Sequence, residues 1–236
     1  DIANLCELVG ADIQDVANGM SYDERIGSKF LNAGIGYGGS CFPKDTKALE
    51  YLAKQYGYEL KTVKAAIEVN ADQKTSLFKK ASQRLITFNG LKVAVLGLTF
   101  KPGTDDLRDA PSLDNVPLLL EQGADIYAYD PVGAENFKRK FLEGKHSKGS
   151  ITYTANPEEA LIGANVCFIF TEWGEIKALN PIAYFKLMRT PLVYDGRNIY
   201  DTDAMLSAGV EYYSVGRKGV TRQQLLAQRS GQEKCQ

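Results

Sequence analysis

The chain has 236 residues, 44% hydrophobic and 24% charged, with 28 basic side chains against 29 acidic ones. This ordinary globular composition excludes a wholly disordered or fibrous chain and leaves room for one large domain or two small ones. A net charge of −1 argues against general affinity for nucleic acid or acidic membranes, and no apolar run approaches the roughly 20 residues that span a bilayer. Cys6, Cys41, Cys167, Cys235 and the lone His146 show no metal-ligand spacing, so no metal is expected. The thiols read as reduced, in a cytoplasm. The chain opens on Asp1, with no charged and apolar leader after it, and is expected to be part of something longer.

The first third reads helical. Apolar spacing predicts short helices over 2–9 and 12–20, with Cys6 in the core. A glycine-rich loop follows, from Asn32 to Cys41. Helix returns from Lys44 to about Tyr56, with Ala48, Leu49, Leu52 and Ala53 on one face. Val63, Ala66, Ile67, Asn70, Leu77, Ala81, Leu85 and Phe88 then recur at helical spacing. They predict one long helix over 62–88, ended by Asn89-Gly90. Such a length fits a spine between two domains or a subunit interface.

After Gly90 the period changes. Lys92 to Leu98 is a continuous β-rich run, followed by a helix over 112–122 and a strand from Asp125 to Asp130. Further strands are predicted over 151–154, 165–170, 192–195 and 211–215, and helices over 156–162, 181–188 and 202–208. The expected class is α/β: a helical portion with a long connecting helix, then a doubly wound, Rossmann-like, mostly parallel sheet. The parts are 1–90, 91–216 and a basic tail over 217–236, read as a solvated, partly ordered end rather than a nucleic-acid arm. Cys167 falls in a buried strand, and His146 in a charged, solvent-facing connection. Ligands of such sheets bind beyond the carboxyl ends of the strands, which directs attention to the loops after 98, 130, 171 and 195.

The first candidate site is the Cys41 loop. Gly34, Gly36, Gly38 and Gly39 permit close backbone approach, and their amides can face an anion. Cys41 precedes a predicted helix N-terminus, and Lys44 is near; both favour thiolate, the nucleophilic form. Asp45 can position a water or hold Lys44. On residues alone two readings stand: a nucleophile, or a flexible loop with an incidental buried thiol. The loop after the first strand carries Phe100, Lys101 and Arg108, an apolar face and two groups that can meet phosphate. Its Gly97 and Gly103 lack the GxGxxG spacing, and the chain as a whole is read as lacking that dinucleotide fingerprint. Asp130 is placed either as a ribose-binding acid or as a plain turn residue. Arg197, in Asp195-Gly196-Arg197, suits a guanidinium aimed into the cleft. Trp173, the only tryptophan, reads as packing.

Several of these stretches together resemble the UDP-glucose/GDP-mannose dehydrogenases, most closely the UDP-glucose 6-dehydrogenases. The carrying segments are Arg25 to Leu31, Gly34 to Asp45, Gly97 to Lys101, Asp106-Leu107-Arg108, Tyr129-Asp130-Pro131, Thr171-Glu172-Trp173 and Asp195-Gly196-Arg197. Phe42 after the cysteine is closer to the UDP-glucose branch than to the GDP-mannose branch, which has leucine there. The resemblance implies a four-electron oxidation of a nucleotide-sugar C6 alcohol to a carboxylate with two NAD+. Cys41 would carry the thiohemiacetal and thioester, and Asp45 would help the water or base step. Arg25, Tyr37, Gly38, Phe100, Lys101 and Arg197 would bind substrate, and Lys44 and Arg108 the NAD cofactor.

It further implies a helical central or dimerisation portion over 1–90 and a UDP-sugar-binding domain over 91–216. A homodimer or larger homo-oligomer is expected, with no nucleic acid or membrane partner. The family's N-terminal NAD-binding domain has no counterpart here, so the chain is expected to be the carboxyl-terminal part of such an enzyme, inactive alone. A nucleotide-sugar-binding or regulatory module without redox activity, a dehydrogenase of another sugar, and a dimerisation fragment remain alternatives.

Overall fold

Helical spacing dominates the first part of the chain. In the computed structural model, which describes residues 1–233, it produces α1 (Ile2–Val9), α2 (Ile13–Ser21) and α3 (Phe42–Gln55). Gly10, at φ 75°, ends α1 in the left-handed conformation that glycine adopts without cost, and Asp12 caps α2 by accepting from the Gln14 amide. Then come α4 (Lys61–Lys74) and α5 (Ser76–Arg84). The single helix expected over 62–88 is therefore two. Thr75 leaves the helical path between them, and the Lys74 carbonyl accepts a 2.8 Å hydrogen bond from Asn115 Nδ2. A side chain more than forty positions away thus takes the acceptor that a continuous helix would use. Helix ends at Arg84, and Phe88 turns into the core instead.

The second part alternates strand and helix: β1 (Lys92–Leu96), α6 (Pro111–Glu121), β2 (Asp125–Tyr129), α7 (Ala134–Lys138), β3 (Gly144–Lys145), β4 (Ser150–Tyr153) and α8 (Pro157–Leu161). It continues with β5 (Val166–Ile169), α9 (Gly174–Lys177), α10 (Pro181–Leu187), β6 (Leu192–Asp195), α11 (Thr202–Ser207), β7 (Glu211–Tyr213) and α12 (Arg222–Glu233). Among the described residues these strands make a seven-stranded sheet in the order β3-β4-β2-β1-β5-β6-β7. All pairings are parallel except the short β3–β4 hairpin. The chain runs outward from β1 to one edge, returns, and runs outward again, which is the doubly wound arrangement.

Parallel strands buried on both faces need apolar side chains at every position, and β1 and β5 supply them. Val93 and Val95 point into one layer with Leu77 and Ala81 of α5, Leu119 of α6 and Phe168. Ala94 and Leu96 point into the other with Leu161, Cys167, Tyr184 and Met205. So α5 belongs to the core of the sheet, and α1 and α2 are tied to the same body. The Ile13 amide donates to the Gly216 carbonyl, and Glu7 accepts from the Gly216 amide and from Lys80.

The start of the tail is ordered against the sheet. Val220 exchanges backbone hydrogen bonds with Tyr212, and Arg217 donates to the Tyr200 carbonyl and the Tyr212 hydroxyl. The side chains of Arg229, Glu233, Lys234 and Cys235 lie outside the described residues. His146 is half-buried in the β3–β4 hairpin rather than fully in solvent. Leu77→Ala, which opens a void in the α5–sheet layer, is expected to lower unfolding stability by about 2–5 kcal/mol in urea titration, against about 0.5 kcal/mol for half-exposed Leu49→Ala.

Candidate functional site

Residues 34–41 carry no regular secondary structure, yet the segment is fastened from two sides. From α4, Asn70 clasps Tyr37 reciprocally: its Oδ1 accepts from the Tyr37 amide at 2.7 Å and its Nδ2 donates to the Tyr37 carbonyl at 3.1 Å. One turn on, Gln73 Nε2 donates to the Gly34 carbonyl. From the sheet's carboxyl edge, the Gly196 carbonyl accepts from the Ile35 amide, and the Ile35 side chain is fully buried against Gly196. Arg197 adds three bonds to carbonyls, Nε to Phe170 at 2.8 Å, Nη1 to Gly36 at 3.3 Å and Nη2 to Phe100 at 3.2 Å. The Arg108 carbonyl accepts from the Gly39 amide at 2.7 Å.

Glycine is required at two points of this loop on geometric grounds. Gly36 has φ 90° and lies so close to Asn70 that a Cβ would stand 2.6 Å from its Oδ1. Gly39 has φ 87°, and a Cβ there would enter the Phe100 ring. The loop therefore presses against Phe100 and delivers the chain to α3 in a set direction. Cys41 is the residue that caps α3, so that helix begins two residues earlier than the spacing predicts. The thiol is exposed, not buried, and stands at a helix N-terminus, where a negative charge is best held. Ser40 Oγ lies 3.7 Å from Cys41 Sγ. Asp45 lies one helical turn on, its amide donating to the Cys41 carbonyl, and its carboxylate is 3.5 Å from Lys44 Nζ.

The remaining expected site residues divide. Phe100 and Gly38 meet at the loop, Tyr37 packs its ring 5.6 Å from that of Phe42, and Lys101 Nζ lies over the Phe100 ring at 5.3 Å. Arg108 pairs with Asp106, which holds its guanidinium above the ordinary value. Arg197 is the best-buried of the set. Burial pushes its guanidinium down, opposed by Glu172, 3.3 Å from Nε, and by Asp195. Arg25 stays apart, with its side chain 89% exposed and paired to Asp23.

Beside the Cys41 loop lies an open cavity of about 550 Å³ lined by Gly39, Ser40, Pro43, Lys44, Lys47, Arg108, Asp109, Leu113 and Lys140. Four of these are cations, and the one carboxylate, Asp109, is already engaged by Lys74. That donor set fits an anionic, phosphate-bearing group. Among the described residues no cluster of ligating side chains could hold a metal ion, and no helix is long and apolar enough to cross a membrane.

Of the two readings of Asp130, the turn residue holds and the ribose-binding acid does not. Its Oδ2 accepts from the Leu98 and Thr99 amides, the Thr99 hydroxyl and Trp173 Nε1, and its Oδ1 from the Val132 and Gly133 amides. Buried and saturated by its own chain, it organises the loops and leaves no capacity for a ribose. The fingerprint reading is also corrected in its letters. GxGxxG does occur once, at Gly34, Gly36 and Gly39, but no strand leads into it, so the strand–turn–helix context of a dinucleotide fold is missing. Asn70, Gln73 and Lys74 are the residues that sequence reasoning missed. Their signal is polarity at the end of an otherwise amphipathic helix, and Asn70 sits in register with its apolar stripe.

Two family descriptions match the chain: the central domain of the UDP-glucose/GDP-mannose dehydrogenase family over residues 1–72, and the UDP binding domain of the same family over residues 94–202. The chain is 48% identical over 220 residues to the UDP-glucose 6-dehydrogenase YwqF of Bacillus subtilis (strain 168), covering 93% of this chain and 49% of that protein. It is 45% identical over 218 residues to a UDP-glucose 6-dehydrogenase of Rhizobium meliloti (strain 1021), covering 92% and 48%. Among solved structures, a UDP-glucose dehydrogenase from the archaeon Pyrobaculum islandicum is 33% identical with a TM-score of 0.74, covering 84% of this chain and 43% of that one. An NDP-N-acetyl-D-galactosaminuronic acid dehydrogenase from Methanosarcina mazei is 26% identical with a TM-score of 0.75, covering 92% and 46%. The chain spans about half the length of the curated relatives it matches.

The Arg197 fastening yields a direct expectation. Arg197→Ala removes three charge-assisted bonds to carbonyls at once and is expected to lower stability by about 2–4 kcal/mol in urea unfolding. Arg197→Lys, which keeps the charge but cannot span three acceptors, is expected to recover less than half of that loss.

Proposed function

Because the chain belongs to the UDP-glucose/GDP-mannose dehydrogenase family, we propose that it is the thiol-bearing, nucleotide-sugar-binding part of an NAD-dependent UDP-glucose 6-dehydrogenase. The reaction is the four-electron oxidation of the sugar's C6 alcohol to the carboxylate of UDP-glucuronate. The observation that carries this reading is the exposed Cys41 thiol at the N-terminus of α3, held by a fastened loop at the carboxyl edge of the sheet.

The first oxidation converts the alcohol to an aldehyde. Cys41 Sγ, as thiolate, attacks the aldehyde carbon; a C–S bond forms and the carbonyl oxygen takes a proton, giving a thiohemiacetal. Loss of a hydride from that carbon and of the hydroxyl proton gives the thioester. Water then adds, the C–S bond breaks, and carboxylate and thiol leave. NAD+ when bound supplies the hydride acceptor, one molecule for each oxidation. Lys44 and Arg108, lining the cationic cavity beside the thiol, hold its anionic portion. Asp45, one helical turn from Cys41, orients the hydrolytic water or takes its proton.

On the substrate side, Phe100 and Gly38 shape the wall, Tyr37 and Lys101 contact the sugar nucleotide, and Arg197 offers the N–H groups its carbonyl partners leave over. Arg25, exposed on its turn, is assigned to the substrate by resemblance to the family. A cytoplasmic, thiol-reducing compartment suits the free Cys6, Cys41 and Cys167. A homo-oligomer suits the exposed Leu49, Leu52 and Tyr56.

Calorimetric titration of this chain tests the substrate reading. Heat of binding is expected with UDP-glucose in preference to UDP-N-acetylglucosamine and GDP-mannose, and no heat with any of the three contradicts it. In the full-length enzyme, Cys41→Ser is expected to cut turnover on the order of 10³-fold or more. Undiminished turnover with intact UDP-glucose binding contradicts Cys41 as the nucleophile.

A further inference from the structure

We infer that Lys74 is a positioning residue for the Cys41 thiol, holding in place, through Asp109, the backbone wall on which the thiol loop is built; this rests on the reading of Cys41 as the nucleophile. The wall is the dipeptide Arg108-Asp109. The Arg108 carbonyl accepts from the Gly39 amide at 2.7 Å. The Asp109 carbonyl oxygen lies 2.5 Å from where a Gly38 Cβ would be, so the two backbones are in direct contact. Any movement of residues 108–109 is therefore passed to Gly38 and Gly39, three and two positions before the thiol.

Asp109 does not hold its own conformation. Its φ is 52°, a left-handed region that residues with a Cβ seldom occupy. Lys74 restrains it from below: Nζ is 3.3 Å from Asp109 Oδ1 and 3.8 Å from Asp114 Oδ2. Lys74 is the last residue of α4 and is 8% exposed, a rare burial for lysine, which suits it only with partners of opposite charge. Its carbonyl is locked to α6 by Asn115. One ammonium thus links the C-terminus of α4, the first turn of α6 and the wall of the thiol loop. Without it, Asp109 and Asp114 face each other uncompensated, and the repulsion between them acts on the strained residue.

A purely structural ion pair predicts a different pattern from a positioning one, and residue-resolved amide hydrogen exchange of this chain separates them. In Lys74→Met the Gly39 amide is expected to exchange at least ~10-fold faster than in the parent. The amide of Ile35, tied to Gly196 on the opposite side of the loop, and that of Val95 in β1 are expected to keep their rates. Lys74→Arg is expected to restore Gly39 to within about twofold. An unchanged Gly39, equal acceleration at all three amides, or failure of Lys74→Arg to rescue overturns the assignment. Should Lys74→Met not fold, Asp109→Asn, of equal size without the charge, is expected to give the same local pattern, and the same outcomes overturn it. Exchange reads the loop without any chemistry. If Cys41→Ser leaves turnover intact while Lys74→Met still frees Gly39, it is the nucleophile reading that has failed and not the link from Lys74 to the loop.

Discussion

A loop of glycines can approach other backbones closely because it has no side chains, and for the same reason it cannot hold itself in place. Everything proposed for Cys41 depends on how this conflict is resolved. Asn70 and Gln73 reach across from α4, Gly196 and Arg197 from the sheet edge, and Arg108 from the loop after β1. The run of glycines carries two large side chains, Ile35 and Tyr37, and Ile35 is fully buried in the same core cluster as β1 and β5. It acts as a plug that makes the loop part of the sheet's core. The fastening gives Cys41 a defined position while leaving its sulfur exposed.

The carboxyl edge of the sheet is itself organised by two buried carboxylates. Asp130 gathers six donors from three loops, and Asp195 accepts from the Arg197 and Ile199 amides and the Tyr212 hydroxyl. Burial pushes the Asp195 carboxyl up, opposed by those hydrogen bonds and by Arg217. Both acids are buried, and Asp130 has no capacity left for a ligand. They shape the crevice between β1 and β5, where the doubly wound order reverses and where such sheets bind ligands. The groups that remain to contact small molecules are consequently the cations: Lys44, Lys101, Arg108 and Arg197. A chain of near-zero net charge thereby gathers positive charge at one edge.

Where local pattern decides structure, the sequence is legible. Val93 to Leu96, Val166 to Ile169 and Leu192 to Tyr194 are continuous apolar runs, and each forms the body of a strand of the sheet. Where a distant residue decides, it is not. The apolar spacing from Val63 to Phe88 carries no sign that Asn115 takes the Lys74 carbonyl and splits the helix. Asp130 after a strand looks the same whether it binds a ribose or six of its own donors. Cys41, Lys101, Arg108 and Arg197 stand out as candidates because they are reactive or cationic side chains in glycine-containing turns. Asn70, Gln73 and Lys74 were not, because a polar residue late in a helix reads as solvent-facing, although Gln73 and Lys74 are both 8% exposed.

For Cys41 to be the nucleophile, a substrate nucleotide sugar and its thiol must share one place. Iodoacetamide modification of Cys41 in this chain, followed by mass spectrometry at neutral pH with and without UDP-glucose, measures that directly. Fast modification that UDP-glucose suppresses, with Cys6 and Cys167 unmodified in either case, is the predicted result. A Cys41 that reacts slowly, at a rate UDP-glucose does not change, contradicts it.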